Sequence, residues 1–223
     1  MEVALKELLL YGNEDSDIIC LQMTGEHEIP YLQKEYELIR EMSKKDMLLA
    51  CVKVGFWGRE LSPWEAEAAF GDENFGDGAG ETLKYVLENV VPEVLNGRKM
   101  EDVRFYLGGY SLSGLFSLWA ACNTDIFTGI AAVSPSVWFS GFVDYVRKNE
   151  IYTEKLYLSL GDKEDKTKNV IMKNVKNAIE EIYDMALNRG IPCTLEYNTG
   201  GHFKDMEFRM AKGFAKSIIN DVK

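Results

Sequence analysis

Gly108-Gly109-Tyr110-Ser111-Leu112-Ser113-Gly114 joins two segments of different periodicity. Before it, Val103 to Leu107 is a short apolar run that reads as a buried strand; after it, Leu112, Leu115, Phe116 and Trp119 recur at helical spacing. A strand that turns at once into a helix brings two main chains close together, so small side chains are needed on both sides of the turn. Gly109, two residues before Ser111, meets that demand. Ser113 stands where such a turn usually has glycine, and Gly114 follows it. A strained turn of this kind exposes the Ser111 hydroxyl at the carboxyl edge of a sheet. The same residues also fit a plain tight turn, with Ser111 as a helix N-cap and the four apolar residues in the core. Partners for the serine must decide between the two.

Outward from this turn, apolar β-rich runs alternate with helical ones, the pattern of a largely parallel central sheet covered by helices on both faces. Strands are expected at Ile18–Met23, Met47–Val54, Ile130–Val133, Leu156–Leu160 and Thr194–Tyr197. Helices are expected at Tyr31–Ser43, at Glu81–Leu95 with a kink or early end at Pro92, at Asn169–Asn188, and from about Met206 to Ile219. The Asn169 helix presents Ile171, Val175, Ala178, Ile182 and Met185 on one face and ends at Gly190 and Pro192. Between the second strand and its helix lies a long loop, Gly55 to Gly78, rich in glycine, tryptophan and acids; loops this long are commonly functional. No internal repeat or linker is visible, and one domain over 1–223 is the simplest reading.

Composition narrows the function classes. With 46% hydrophobic residues in 223, the chain can bury a sizeable core. Its net charge of −11 repels nucleic-acid phosphate and anionic membrane surfaces. The four cysteines, Cys20, Cys51, Cys122 and Cys193, lie at least 31 residues apart and read as small core residues. With only two histidines, the chain offers neither CxxC pairs nor a His-rich zinc site, and the chemistry read below needs no cofactor. Met1 to Tyr11 carries Glu2 and Glu7 and lacks the basic start and small-residue cleavage site of a signal peptide. No apolar run approaches the roughly 20 residues of a membrane span. A reducing cytoplasm is the expected compartment; nothing in the sequence sets the oligomeric state.

A nucleophilic serine needs a base, and the chain order Ser, Asp or Glu, His selects His202 over His27. His202 follows the last strand within Thr199-Gly200-Gly201-His202-Phe203, where two glycines let the main chain aim the imidazole at the sheet edge. The acid is expected in the loop Gly161-Asp162-Lys163-Glu164-Asp165: Glu164, three residues past the glycine, can turn back toward His202, and Asp162 and Asp165 stay open as alternatives. The oxyanion hole should combine the backbone N–H of Leu112 with one from the loop Thr24-Gly25-Glu26-His27, Glu26 being the expected donor.

At this point the sequence resembles the putative esterase family of α/β-hydrolases, which includes esterase D and enterochelin-esterase-like enzymes. The resemblance rests on Gly109 to Leu115, on Ala132-Val133-Ser134-Pro135-Ser136-Val137-Trp138, on Gly161 with its acidic loop, and on Gly200-Gly201-His202-Phe203, and spans roughly residues 18 to 220. It implies an α/β-hydrolase fold, a triad of Ser111, Glu164 and His202, and Ser134, Pro135 and Trp138 at the edge of the site. Met23-Thr24-Gly25-Glu26-His27 departs from the His-Gly common in the family's oxyanion loop.

The reaction expected is acyl transfer from a small-molecule ester through an acyl-enzyme. Only 21 residues separate Ser134 from Leu156, too few for a large cap domain, so an open site for small or soluble esters is expected, narrowed by Trp57, Trp64, Tyr110 or Trp138. Two alternatives share the same cleft: an acyltransferase using the same triad, and a noncatalytic ligand-binding module.

Overall fold

The computed structural model describes residues 6–69 and 71–219; Met1 to Leu5 of the amphipathic N-terminal segment lie outside them. Seven strands form one sheet in the order β1-β3-β2-β4-β5-β6-β7. They are β1 (Leu8–Gly12), β2 (Ile18–Thr24), β3 (Leu48–Lys53), β4 (Arg104–Tyr110), β5 (Gly129–Val133), β6 (Lys155–Gly161) and β7 (Cys193–Asn198). β1 runs antiparallel to β3 at one edge, and every other pairing is parallel. Parallel strands buried on both faces need apolar side chains on both, which is why Leu48 to Val52 and Ile130 to Val133 read as unbroken apolar runs.

Among the described residues, eight α-helices cover the faces: α1 (Leu32–Ser43), α2 (Trp57–Glu60), α3 (Ala79–Tyr85), α4 (Val91–Leu95), α5 (Leu112–Ala121), α6 (Phe142–Lys148), α7 (Val175–Asn188) and α8 (Met206–Ile219). The strand pleat sends alternate residues to opposite layers. Ile19, Leu21 and Met23 join the layer that also holds Leu83, Leu115, Phe142 and Ile182, whereas Cys20 joins Tyr36, Ile39 and Phe214 of α1 and α8. At neutral pH the four cysteines stand as free thiols, Cys122 and Cys193 each pushed by burial up to about 12.

Three details differ from the sequence expectation. The N-terminal segment supplies a strand, β1, whose residues are only partly covered because it lies at the sheet edge. α7 starts at Val175: Asn169 Oδ1 accepts the N–H groups of Ile171 and Met172, forming a polar turn that leaves Ile171 exposed instead of on the apolar face. Around Pro92, which has no N–H to donate, a π turn at Val86–Val90 separates α3 from α4, so the helix is interrupted without ending. The segment between β5 and β6 carries only the seven-residue α6. Among the described residues, no helix is long and apolar enough to cross a membrane.

Candidate active site

β4 and α5 meet at Ser111, whose backbone sits at φ 58° and ψ −120°, a region L-residues rarely occupy. The turn is tight enough that a Cβ on Gly109 would lie 2.3 Å from the Ser113 carbonyl, so the glycine is required by close approach. Ser113 is fully buried, and its Oγ donates to the Met23 carbonyl at 2.9 Å, tying α5 to the end of β2. A serine in the usual glycine place therefore braces the turn against the neighbouring strand.

Ser111 Oγ lies 3.1 Å from His202 Nε2, and His202 Nδ1 lies 2.7 Å from Glu164 Oε2. Gly200, at φ 110°, allows the reversal that delivers His202 to the elbow. Of the three acids in the loop after β6, Glu164 is the one that reaches the imidazole. Asp162 instead accepts the Gly200 N–H at 2.7 Å, holding the turn that carries His202, and among the described residues no hydrogen bond or ion pair joins Asp165 to the site. The second oxygen of Glu164 accepts from Ser134 Oγ at 2.7 Å and from the Gly161 N–H at 2.7 Å, with Arg209 Nη1 at 3.4 Å. Burial raises the Glu164 pKa, but the hydrogen bonds from His202, Ser134 and Gly161 outweigh it and hold the carboxyl below its ordinary value. An ionised Glu164 accepts a hydrogen bond from Nδ1–H, leaving the Nε2 lone pair for the Ser111 hydroxyl.

Sequence reasoning passed over two residues that support this line. Arg209 is 1% exposed and binds the Tyr110 hydroxyl, Glu164 and the Thr199 carbonyl. Ser136, also 1% exposed, donates its N–H to the Ser111 carbonyl at 3.0 Å and sets its Oγ 3.3 Å from Ser111 Oγ. The Ser134-Pro135-Ser136 turn is a visible signal for Ser136; a charged residue within an amphipathic helix gives none for Arg209.

Several wall residues differ from expectation. Tyr110, 2% exposed, stands behind the triad, its hydroxyl donating to the His202 carbonyl, so it braces the site while also lining a cavity other than the Trp57 cleft. Burial pushes that hydroxyl above its ordinary pKa, keeping it a donor. Ser134 and Pro135 are likewise buried, Ser134 holding Glu164 and Pro135 packing on Gly114 instead of lining an edge. Trp57 does line a cleft of about 800 Å³ together with Phe56, Phe75 and Leu112. Trp138 and Trp64 line an adjoining hollow of about 270 Å³ that shares Phe75.

At the expected oxyanion position, the Leu112 N–H starts α5 and makes no hydrogen bond among the described residues. Glu28 Oε2 takes the Gly25 N–H at 2.8 Å, so that donor is occupied, whereas the Glu26 N–H makes no such bond. The exposed Glu26 carboxylate pairs with Lys53 at 2.5 Å.

The mostly parallel sheet and the helices that cover it are found again in solved structures. An IroE-like serine hydrolase from Shewanella oneidensis matches with a TM-score of 0.77 at 14% identity, over 95% of this chain and 75% of that one. The fold is that of the α/β-hydrolases. Siderophore hydrolase EstB from Aspergillus nidulans matches this chain with a TM-score of 0.70 at 18% identity, over 100% of this chain and 98% of that one. Enterobactin and salmochelin hydrolase IroE gives a TM-score of 0.68 at 16% identity, over 90% and 81%. No family model and no curated protein matches the chain. At these identities the likeness is one of fold, and the residues at the sheet edge carry the argument for function.

Proposed function

We propose that this α/β-hydrolase is a serine carboxylic-ester hydrolase, acting in a single domain on small or soluble esters through an acyl-enzyme at Ser111. The observation that carries the reading is the unbroken line from Ser111 Oγ through His202 to Glu164, at 3.1 and 2.7 Å, beside a free Leu112 N–H. Solved structures of the same fold that are hydrolases support it.

In this mechanism His202 Nε2 takes the Ser111 proton as Oγ attacks the ester carbonyl. The tetrahedral oxyanion is held by the N–H groups of Leu112 and Glu26. Nε2 then gives its proton to the departing alkoxide, the carbonyl–oxygen bond breaks, and an alcohol leaves with the acyl group on Ser111. Water attacks the acyl-enzyme, losing a proton to Nε2, and the acid departs as Ser111 recovers its proton. Glu164 holds the Nδ1–H throughout and stabilises the imidazolium formed in each half. Free buried thiols fit a reducing compartment, which we assign to the cytoplasm.

Added methanol tests the acyl-enzyme. Phenyl and p-nitrophenyl esters of one acid should yield methyl ester and free acid in the same ratio, because both pass through one intermediate. A ratio that changes with the leaving group contradicts it, and almost complete transfer to the alcohol would favour an acyltransferase.

The neutral imidazole is the base, so kcat/KM is expected to rise from acid pH to a plateau. A profile flat from acid to alkaline pH would remove His202 from the role. Since the connection between β5 and β6 forms no cap domain and the Trp57 cleft is open, p-nitrophenyl acetate and butyrate are expected to be cleaved faster than the laurate or palmitate. The reverse order of kcat/KM would contradict an open site for small esters.

A further inference from the structure

On the other side of the elbow from the Trp57 cleft lies a cavity of about 340 Å³ to which the mechanism above assigns no role. It touches the triad through neighbours: Tyr110 precedes Ser111, and Phe203 follows His202. His27, its ring 5.9 Å from that of Trp57, stands at the boundary between the two.

Four carboxyl groups face the cavity: Glu28 from the loop after β2, Glu35 from α1, Asp205 just before α8 and Glu207 in its first turn. Glu35 is 4% exposed, and its Oε1 has no hydrogen-bond donor among the described residues; neither has the buried Oε1 of neighbouring Gln22. With Glu35 ionised both oxygens are acceptors, and leaving either buried without a donor is costly; a ligand that donates hydrogen bonds would remove the cost. Protein cations do not meet the need: Lys34 pairs with Glu207 at the rim at 2.6 Å, and Arg209 is engaged by Tyr110, Glu164 and Thr199. Among the described residues no three His, Cys, Asp or Glu groups converge closely enough to hold a metal ion. Exposed Tyr31 and Phe203 add aromatic surface at the mouth for an alkyl stem.

We propose that this cavity binds a protonated primary amine carried on one arm of the ester, with Glu35 as its principal acceptor; the substrate assignment rests on the esterase reading above, the amine site on the cavity itself. A primary ammonium has three donors, enough for Glu35 and for rim carboxylates, and its positive charge offsets the crowding of acids. Burial first and the nearby Glu28 carboxylate next push Glu35 well above its ordinary range, the Gln22 side chain pulls it back in part, and a bound ammonium would add to that opposition.

Calorimetric titration of n-hexylammonium and of 1-hexanol into the wild type and into Ser111→Ala tests the site without turnover. Hexylammonium is expected to bind both proteins at least about tenfold more tightly than the alcohol, with Glu35→Gln bringing the amine down to the alcohol's affinity. Glu207→Gln, on the rim, should lower amine affinity several-fold and provides the comparison if the buried variant does not fold. Equal affinities for amine and alcohol, or an amine affinity unmoved in folded Glu35→Gln, would overturn the proposal. Hydrolysis of p-nitrophenyl acetate in the same samples separates the two ideas. Ester turnover without amine preference overturns the amine site alone; tight amine binding without turnover supports the site and removes the esterase reading.

Discussion

Replacing Ser111 with alanine is expected to lower kcat/KM for p-nitrophenyl acetate by at least about 10⁴-fold, leaving only the catalysis that the oxyanion donors and binding supply. The loss should lie in the chemistry and not in folding. Alanine at φ 58° is no more strained than serine there, and the elbow's remaining ties, from Ser113 Oγ to the Met23 carbonyl and from the Ser136 N–H to the residue 111 carbonyl, use no atom of the Ser111 side chain. Ser136 Oγ, 3.3 Å from Ser111 Oγ, is the hydroxyl that could act instead. Circular dichroism and the hydrolysis rate, measured on one preparation, check both halves of the expectation. Activity within tenfold of the wild type would show that another group is the nucleophile.

Glu164→Gln is expected to cost about 10⁴-fold in kcat with little change in KM. Glutamine has nearly the same shape, but its amide nitrogen can donate where the carboxylate only accepts. With that NH₂ toward His202, Nδ1 becomes the acceptor, the proton moves to Nε2, and the base can no longer take a proton from Ser111. Ser134 Oγ and the Gly161 N–H favour this orientation, because both donate to the other position and so select the amide oxygen there. Acid stability gives a second reading. The folded-state pKa of Glu164 is depressed, so its contribution to stability is full above the unfolded Glu value of about 4.3 and is lost as pH falls through the lower folded value. Urea unfolding of Glu164→Gln should therefore depend less steeply on pH below about 4 than that of the wild type. A kcat within tenfold of the wild type would move the acid's role to another residue.

How much is legible in the sequence depends on whether a residue's task leaves a local trace. Ser111 is marked by the strand before it, the helix after it and the small residues the turn requires. His202 is marked by two glycines, a preceding strand and its place in chain order. The acid is different: Asp162, Glu164 and Asp165 share one loop, and only its closure distinguishes them, with the Gly161 N–H reaching Glu164 and Asp162 reaching the Gly200 N–H. Arg209 is hidden for a further reason. On an amphipathic helix a charge is ordinarily assigned to water, and its burial follows from three partners, Tyr110, Glu164 and the Thr199 carbonyl, that are distant in sequence or lie in the preceding loop. β1 leaves little trace because an edge strand is only partly covered and its alternation is weak. Tyr110 is adjacent to Ser111 in the chain, and adjacency alone suggests a wall of the open cleft. The pleat of β4 instead directs its side chain to the layer formed by α1 and α8.

The central claim, that Ser111 is the nucleophile of an acyl-transfer triad, is tested most directly by mapping the adduct of a fluorophosphonate probe by peptide mass spectrometry. The expected result is one adduct per chain, on the peptide containing Ser111, absent in Ser111→Ala and present in Ser113→Ala. An adduct on Ser113, Ser134 or Ser136, or none on a folded wild-type protein, would contradict it.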